Sequence, residues 1–164
     1  MARLFVAVTP PAVVMDVIAA LARPAVKGVR WTAPEQWHVT LRFFGEADVD
    51  EASVACARID GASCEVSLGP AVERLGPGVA MAPVHGLGTL NQAVRAATES
   101  VGSPPDDRPY RGHITLARIK GRARCPLVGA LVSARWTVGS IDLIRSDLGA
   151  AGARYSTLAT YALS

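Results

Sequence analysis

Apolar and polar positions recur with two different periods along this chain, and these periods predict its secondary structure. Runs with strand character occupy residues 3–8, 37–46, 113–119, 135–147 and 153–163. Apolar residues at helical spacing occupy residues 10–24, 48–61 and 87–102. Residues 64–86 contain short apolar pieces divided by Gly and Pro, which predicts two or three strands with a turn at 76–78.

The order of these segments favours an α+β fold with mostly antiparallel strand pairing. Strands outnumber helices, and few connections are suited to an all-parallel sheet. The Gly-rich residues 148–152 join the last two strand segments, which predicts a terminal hairpin. No linker or low-complexity stretch divides the chain, so we expect a single domain over residues 1–164.

Composition narrows the class of protein. No apolar run reaches the ~18 residues of a membrane helix, and the N-terminal residues lack a secretory signal pattern, so we expect a cytoplasmic protein without a membrane partner. The net charge of +3 is compatible with an anionic ligand but too small to indicate a long nucleic-acid footprint. Three cysteines without C-x-x-C spacing argue against a disulfide framework or a zinc site.

A four-residue pattern occurs twice in predicted strands. The sequence HVTL begins at His38, and HITL begins at His113, 75 residues later. Residues two apart in a strand share a face, so His38 and Thr40 are expected to point one way and the apolar residues between them the other. The same argument places His113 and Thr115 on one face. A single H-x-T is commonly structural, but two copies in a chain with three histidines indicate a site.

Two such pairs in one site would suit chemistry at phosphorus. Two imidazoles can supply a general base and a general acid near neutral pH. Two hydroxyls can donate hydrogen bonds to the non-bridging oxygens of a phosphate. A metal site is disfavoured, because neither motif has a third ligand at suitable spacing. The third histidine, His85, has no such neighbour and is interpreted as a surface or loop residue.

The two motifs and their flanks resemble a known family. The pair HVTL and HITL is similar to the signature of the 2H phosphoesterases, and residues 3–11, 37–46 and 113–118 resemble its bacterial and archaeal RNA 2′,3′-cyclic phosphodiesterase branch, once called 2′-5′ RNA ligase. The resemblance implies a bilobal, pseudo-symmetric fold in which two mostly antiparallel sheets flank a central cleft, with helices outside. It also implies hydrolysis of an RNA 2′,3′-cyclic phosphate to a 2′-phosphomonoester, with no cofactor and no metal.

The resemblance further assigns roles to single residues. It implies that His38 is the proton donor to the leaving 3′ oxygen, that His113 is the proton acceptor that activates water, and that Thr40 and Thr115 bind the phosphate. Arg118 matches an arginine that the family places near the substrate, although strict strand alternation puts it on the face opposite His113. It can reach the cleft only through a bulge or at the end of the strand, and a solvated surface arginine is the alternative.

Two further positions bear on the local geometry of the motifs. Arg42 shares the face of His38 by alternation and is the second candidate for a phosphate-binding arginine. Gly112 stands where the branch commonly has Pro, which makes the backbone before His113 more flexible.

Two other functions stay open at this point. A module that binds RNA ends or nucleotides with little turnover would not need two proton-transfer groups. Ligation of a 2′,3′-cyclic end to a 5′-hydroxyl would use the same two histidines with their roles reversed. The expected partners are RNA ends or small nucleotides that carry a 2′,3′-cyclic phosphate. No large interface is evident in the sequence, so we expect a monomer.

Overall fold

The computed structural model describes all 164 residues and contains ten strands and three α-helices. The strands are β1 (Ala2–Val8), β2 (Val29–Trp31), β3 (Val39–Ala47), β4 (Cys64–Leu68), β5 (Glu73–Leu75), β6 (Val79–His85), β7 (His113–Ile119), β8 (Ala134–Val138), β9 (Ser140–Gly149) and β10 (Gly152–Ala162). The helices are α1 (Ala12–Ala19), α2 (Val49–Ala57) and α3 (Gly88–Ala97), and a 3₁₀ turn covers Pro34–Gln36.

The strands form one curled sheet in the order β10-β9-β1-β3-β7-β6-β4-β8, with β2 beside β7 and β5 beside β6. Every pairing is antiparallel. One half contains β10, β9, β1 and β3 and the other contains the remaining six strands, and the two halves pair only where Val39 of β3 meets Ile114 of β7. This confirms the predicted α+β fold with two antiparallel lobes, and it puts the two motif strands side by side at the centre.

One face of the sheet carries the hydrophobic core. Leu4, Val6 and Val8 alternate along β1 and are buried with Ile114 and Leu116 of β7. The helices cover this face: α3 buries Leu90 and Val94 at helical spacing, and α1 buries Val14 and Ile18. The opposite face is left open between the two lobes, and this is where the polar residues of the motif strands lie.

Helix α2 shows how local sequence fixes an element boundary. The Asp48 carboxylate accepts a hydrogen bond of 2.9 Å from the backbone N–H of Glu51, which caps the helix. Asp50 and Glu51 add negative charge to the first turn, where the helix dipole favours it. The sequence therefore starts α2 directly after β3, which ends at Ala47.

One sequence-based expectation about strands is wrong, and one short strand was not predicted. Residues 135–147 are not one strand, because the chain leaves the sheet at Gly139 and divides into β8 and β9, which lie in different lobes. The predicted hairpin is confirmed, but it consists of β9 and β10 alone. The strand that was not predicted is β2, which pairs with β7 from Val29 to Trp31. No helix has the length and apolar character needed to cross a membrane.

Candidate active site

The two H-x-T motifs lie across from each other in one cleft. Val39 pairs with Ile114 in the antiparallel sheet, and the same register sets His38 opposite Thr115 and Thr40 opposite His113. All four polar side chains line a cleft of about 620 Å³ on the open face. Directly opposite residues have Cβ atoms ~5 Å apart. Each imidazole is therefore close to the threonine of the other motif as well as to its own.

A β-bulge follows each threonine and changes which later residues reach the cleft. In β3, Val6 pairs with Arg42 but Ala7 pairs with Thr40, so Leu41 is an extra residue. In β7, Leu116 is the extra residue between Thr115 and Ala117. After each bulge the residue three places beyond the threonine points into the cleft. These residues are Phe43 in the first motif and Arg118 in the second.

The bulges settle the positions of the two candidate arginines. Arg118 lines the cleft together with His113 and Thr115, because the bulge in β7 turns it to that face, which is one of the two routes considered from the sequence. Arg42 does not share the face of His38, and the alternation argument is wrong there. It is 5% exposed, lies over the Phe44 ring and donates hydrogen bonds to Thr98 and to the carbonyl oxygens of 101 and 103. Arg42 therefore holds the end of α3 and the following loop.

Side chains from outside the motif strands hold the bulges in place. The Thr32 hydroxyl lies 2.8 Å from the carbonyl oxygen of Thr115 and 3.1 Å from that of Leu116. The buried Asn91 amide donates to the carbonyl oxygen of Leu41 at 2.8 Å. The backbone N–H of Thr32 also donates to the Leu116 carbonyl oxygen at 2.9 Å, and buried polar groups need such partners. Specific hydrogen bonds from neighbouring segments therefore stabilise both bulges.

Both imidazoles are oriented by the same backbone contact. The Nδ1 atom of His38 lies 2.7 Å from the carbonyl oxygen of Gln36, and Nδ1 of His113 lies 2.7 Å from that of Arg111. A carbonyl oxygen can only accept, so Nδ1 carries the proton in each ring. Nε2 is then the nitrogen that can gain or lose a proton. In His38, Nε2 lies 3.0 Å from the Thr40 hydroxyl oxygen.

Aromatic rings surround only the first histidine. The ring centroid of His38 is 4.9 Å from that of Phe5 and 5.2 Å from that of Tyr155, which meets it edge-on at 90°. Burial among these groups lowers the pKa of His38, and the positive charges of His113 and Arg118 lower it further, against the raising effect of the Gln36 carbonyl. His38 therefore releases its proton more readily than an ordinary histidine while the cleft is empty.

The remaining predicted positions are less directly involved. His85 ends β6 on the surface, where its Nε2 donates to the Gly69 carbonyl oxygen at 3.2 Å. Gly112 is buried, and a Cβ atom there would lie 2.6 Å from the carbonyl oxygen of Val84. The absence of a side chain at 112 thus lets β6 approach the backbone just before His113, which supersedes the interpretation of Gly112 as a source of flexibility.

The cleft contains cations that sequence reasoning missed. Arg3 and Arg30 line it with Arg118, and no Asp or Glu lines it. No three His, Cys, Asp or Glu side chains gather anywhere as a group that could hold a metal ion. The cleft can therefore attract an anion and offer it two hydroxyls, an arginine and two imidazoles. Alternation along β1, which puts Arg3 and Phe5 on one face, was the signal that could have found Arg3.

Comparisons with known proteins agree with this geometry. Residues 8–69 match the family described as LigT-like phosphoesterase. The chain is 33% identical to the RNA 2′,3′-cyclic phosphodiesterase of Thermus thermophilus, over 98% of this chain and 90% of that protein. It is 30% identical to the protein of the same name from Aeropyrum pernix, over 76% and 80% of the two chains.

Solved structures show the same fold. A crystal structure of a Thermus thermophilus protein superposes with a TM-score of 0.83 at 29% identity, covering 98% of this chain and 97% of that one. The structure of E. coli LigT complexed with 3′-AMP superposes with a TM-score of 0.81 at 26% identity, covering 99% and 98%. The likeness extends over both lobes and therefore over both motif strands.

Proposed function

This chain belongs to the LigT-like phosphoesterase family, and we propose that it hydrolyses RNA 2′,3′-cyclic phosphate ends to 2′-phosphomonoesters by two-histidine acid/base catalysis. The observation that carries the proposal is the paired arrangement in one cleft. Two imidazoles, each with Nδ1 turned to a carbonyl, present Nε2 beside two threonine hydroxyls. Because each lobe supplies one motif, the proposal treats residues 1–164 as one functional domain.

In the proposed reaction, Nε2 of neutral His113 takes a proton from a water molecule as its oxygen attacks phosphorus. The bond from phosphorus to the 3′ oxygen breaks, and protonated His38 gives its Nε2 proton to that oxygen. One proton is taken up and one is released, and exchange with solvent restores both rings. The hydroxyls of Thr40 and Thr115 and the guanidinium of Arg118 offset the charge on the non-bridging oxygens.

The lowered pKa of His38 links its role as an acid to substrate binding. In the empty cleft, burial is the main cause that disfavours the protonated ring, and the neighbouring Arg118 guanidinium adds to it. A cyclic phosphate brings one negative charge next to Nε2, and a nearby opposite charge raises the pKa of a histidine. His38 is therefore proposed to hold its proton best when the substrate is in place. This makes proton donation to the 3′ oxygen compatible with a ring that is mostly neutral beforehand.

The proposed substrate class is supported by the charge of the cleft and by the relatives. Three arginines line the cleft without a carboxylate, and 3′-AMP is bound in the related E. coli LigT structure. We therefore propose that RNA ends or nucleotides are the partners of this chain. The proposal requires no metal, since the acid, the base and the charge-stabilising groups are all side chains.

Product analysis tests the proposal. An oligoribonucleotide with a 2′,3′-cyclic phosphate end is incubated with EDTA-treated protein, and the products are separated from 2′- and 3′-phosphate standards. We expect the 2′-phosphate. The 3′-phosphate as the product would reverse the leaving-group assignment, and a longer, joined product would indicate ligation. Intact ends in the presence of folded protein would refute hydrolysis, and binding without turnover would favour a binding module.

A further inference from the structure

Four exposed cations cluster in two loops of the lobe that contains β2 and β7. One loop precedes β2 and the other follows β7, and together they contribute Lys27, Lys120, Arg122 and Arg124. Both lysines of the chain are among them. None of the four takes part in an ion pair. These four residues are called the basic loop surface, and the proposed reaction gives them no role.

The fold holds the two loops against each other. The backbone N–H of Lys120 donates to the Gly28 carbonyl oxygen at 2.7 Å. A Cβ atom at Gly28 would lie 2.7 Å from the Cβ atom of Ala123, so the close approach of the loops requires a glycine there. Ile119 and Cys125 are buried on either side of the second loop and anchor it. The four cations are therefore displayed from one fixed surface rather than from two independent loops.

The basic loop surface begins where the cleft ends. Arg30 of β2 lies opposite Arg118 of β7, and both line the cleft. Lys120 follows Arg118 by two residues, which is ~7 Å along a strand. Lys27 precedes Arg30 by three residues in the neighbouring loop. Positive charge therefore continues from the proposed phosphate site out of the cleft and over the adjoining loops.

The charge of the chain is unevenly distributed, and its positive excess lies here. Residues 17–34 and 108–141 contain no Asp or Glu, and these segments supply β2, β7 and both loops. The four cations of the basic loop surface exceed the whole net charge of +3. A surface that serves solubility alone usually intersperses both signs. The modest net charge thus conceals a local concentration of positive charge that suits a polyanion.

We propose that the basic loop surface binds the phosphate backbone of an RNA strand whose end lies in the cleft. The phosphates of a flexible strand can follow a row of cations without any base being recognised. The proposal rests on the proposed function, because that function places the RNA end between the two motifs. It makes the protein bind an end carried by a long strand more tightly than the same end on a single nucleotide.

A second cavity offers another route for the strand, and its charges argue against it. This cavity of about 700 Å³ also borders His113. Arg108 there pairs with Asp106, and Arg111 approaches Glu73 at 3.4 Å. Carboxylates of the protein itself thus offset two of its cations, whereas no carboxylate pairs with the basic loop surface. The free positive charge therefore favours the side of β2 and β7.

Binding measurements test the basic loop surface without requiring turnover. One probe is a mononucleoside 2′-phosphate, and the other is a single-stranded oligoribonucleotide of ~12 nucleotides with the same 2′-phosphate end, a length within the usual range for sites on single strands. The double variant Lys120→Gln/Arg122→Gln should bind the oligonucleotide ~10-fold more weakly at ~0.1 M salt, and the slope of log K against log salt should become shallower by ~1.4. Its binding of the mononucleotide should not change.

Matched variants separate the effect of charge from those of shape and position. Lys120→Arg/Arg122→Lys keeps both charges and should bind both probes like the parent protein. Arg58→Gln/Arg135→Gln removes two exposed charges outside the basic loop surface and should also bind like the parent. A loss of affinity confined to Lys120→Gln/Arg122→Gln would therefore report the charge of the loop and not the net charge of the chain.

Equal affinity of the parent for the two probes would overturn the proposal, as would an equal loss of both probes in Lys120→Gln/Arg122→Gln. A loss of oligonucleotide affinity in Arg95→Gln alone would overturn it as well, since Arg95 lines the second cavity and the strand would then run there. Binding of phosphatidylserine vesicles that depends on Lys120 and Arg122, without any effect of RNA length, would assign the surface to a membrane instead. Absence of hydrolysis would refute the proposed function but would not alter this comparison of probes.

Discussion

The two motif strands carry the same four-residue pattern but different neighbours. Around His38, β1 contributes Phe5 and β10 contributes Tyr155, and both rings touch the imidazole. Around His113, β6 contributes Pro83 directly opposite, and no aromatic pair involves this imidazole. The backbone contact of Nδ1 is identical in both. The protein therefore repeats the orientation of its two imidazoles and surrounds each of them with different side chains.

The same comparison applies three residues beyond each threonine. Both strands bulge at the same point, so Phe43 and Arg118 occupy matching positions on the cleft face. One lobe offers an apolar ring there and the other a cation. The two ends of a nearly symmetric cleft thus differ in chemistry. This difference between the two ends of the cleft comes from the residues next to the motifs and not from the motifs themselves.

Removing either histidine is the largest expected perturbation. His38→Ala and His113→Ala should each lower kcat by ~10³-fold on a cyclic phosphate end, the range for loss of a positioned acid or base. The two variants should differ in their activity on a nucleoside p-nitrophenyl phosphodiester, because its leaving group departs without needing a proton. On this ester His38→Ala should approach the parent rate, while His113→Ala should stay inactive. Recovery in His113→Ala instead would exchange the proposed roles.

Substitutions of the two arginines that follow the bulges are expected to have different effects, one on activity and the other on stability. Arg118→Met should lower kcat/KM by ~10²-fold with the free energy of unfolding unchanged within ~0.5 kcal/mol, because the side chain is exposed in the cleft. Arg42→Met should lower the free energy of unfolding by ~3 kcal/mol, because it leaves buried acceptors at residues 98–103 unpaired.

Denaturant unfolding and steady-state kinetics on the same samples check this pair. Arg42→Met is expected to keep kcat/KM within ~3-fold at a temperature where it is folded, and its Tm should fall by roughly 6–12 °C. A stable but inactive Arg42→Met variant would restore Arg42 as the phosphate-binding arginine. Loss of stability in Arg118→Met would mean that the bulge in β7 depends on this side chain.

The motifs could be predicted from sequence because their information is local. The H-x-T spacing sets His38 and Thr40 on one face whatever the partner strand is. The bulges could not be predicted in this way, because they arise where β3 and β7 fall out of register with β1 and β6. Register is a property of two strands, and strict alternation within one strand therefore misplaced Arg42.

The aromatic neighbours of His38 were missed for a related reason. Phe5 and Tyr155 come from opposite ends of the chain and meet only because β9 lies between β1 and β10. The uninterrupted run of strand-forming residues at 135–147 also led to a wrong prediction of one strand. The residues before and after Gly139 belong to different lobes. Strand propensity identifies such residues, but it contains no information about which edge of a sheet they join.

The smallest expected effect concerns the titration of His38. Its pKa is lowered mainly by burial, so its midpoint in the free protein should lie below the ordinary value of about 6.5. As the pH rises through this lowered pKa, the proposed proton donor is lost, and kcat/KM should fall on the alkaline side of the profile. A bound phosphate opposes the shift, so the matching limb of kcat should lie at higher pH.

Histidine resonances followed by NMR across pH 4.5–8 would measure this midpoint. Tyr155→Ala opens one side of the His38 ring to water and should raise its midpoint towards the ordinary value, whereas Tyr155→Phe keeps the ring and should leave it in place. Arg118→Met should raise it by less, because Arg118 contributes the smaller, electrostatic part. Two results would contradict this: a His38 midpoint at or above 6.5 in the parent protein, or a midpoint that Tyr155→Ala does not change. Either would mean that the aromatic neighbours position the His38 ring without lowering its pKa. The difference between the two motif strands would then reside in Phe43 and Arg118 alone.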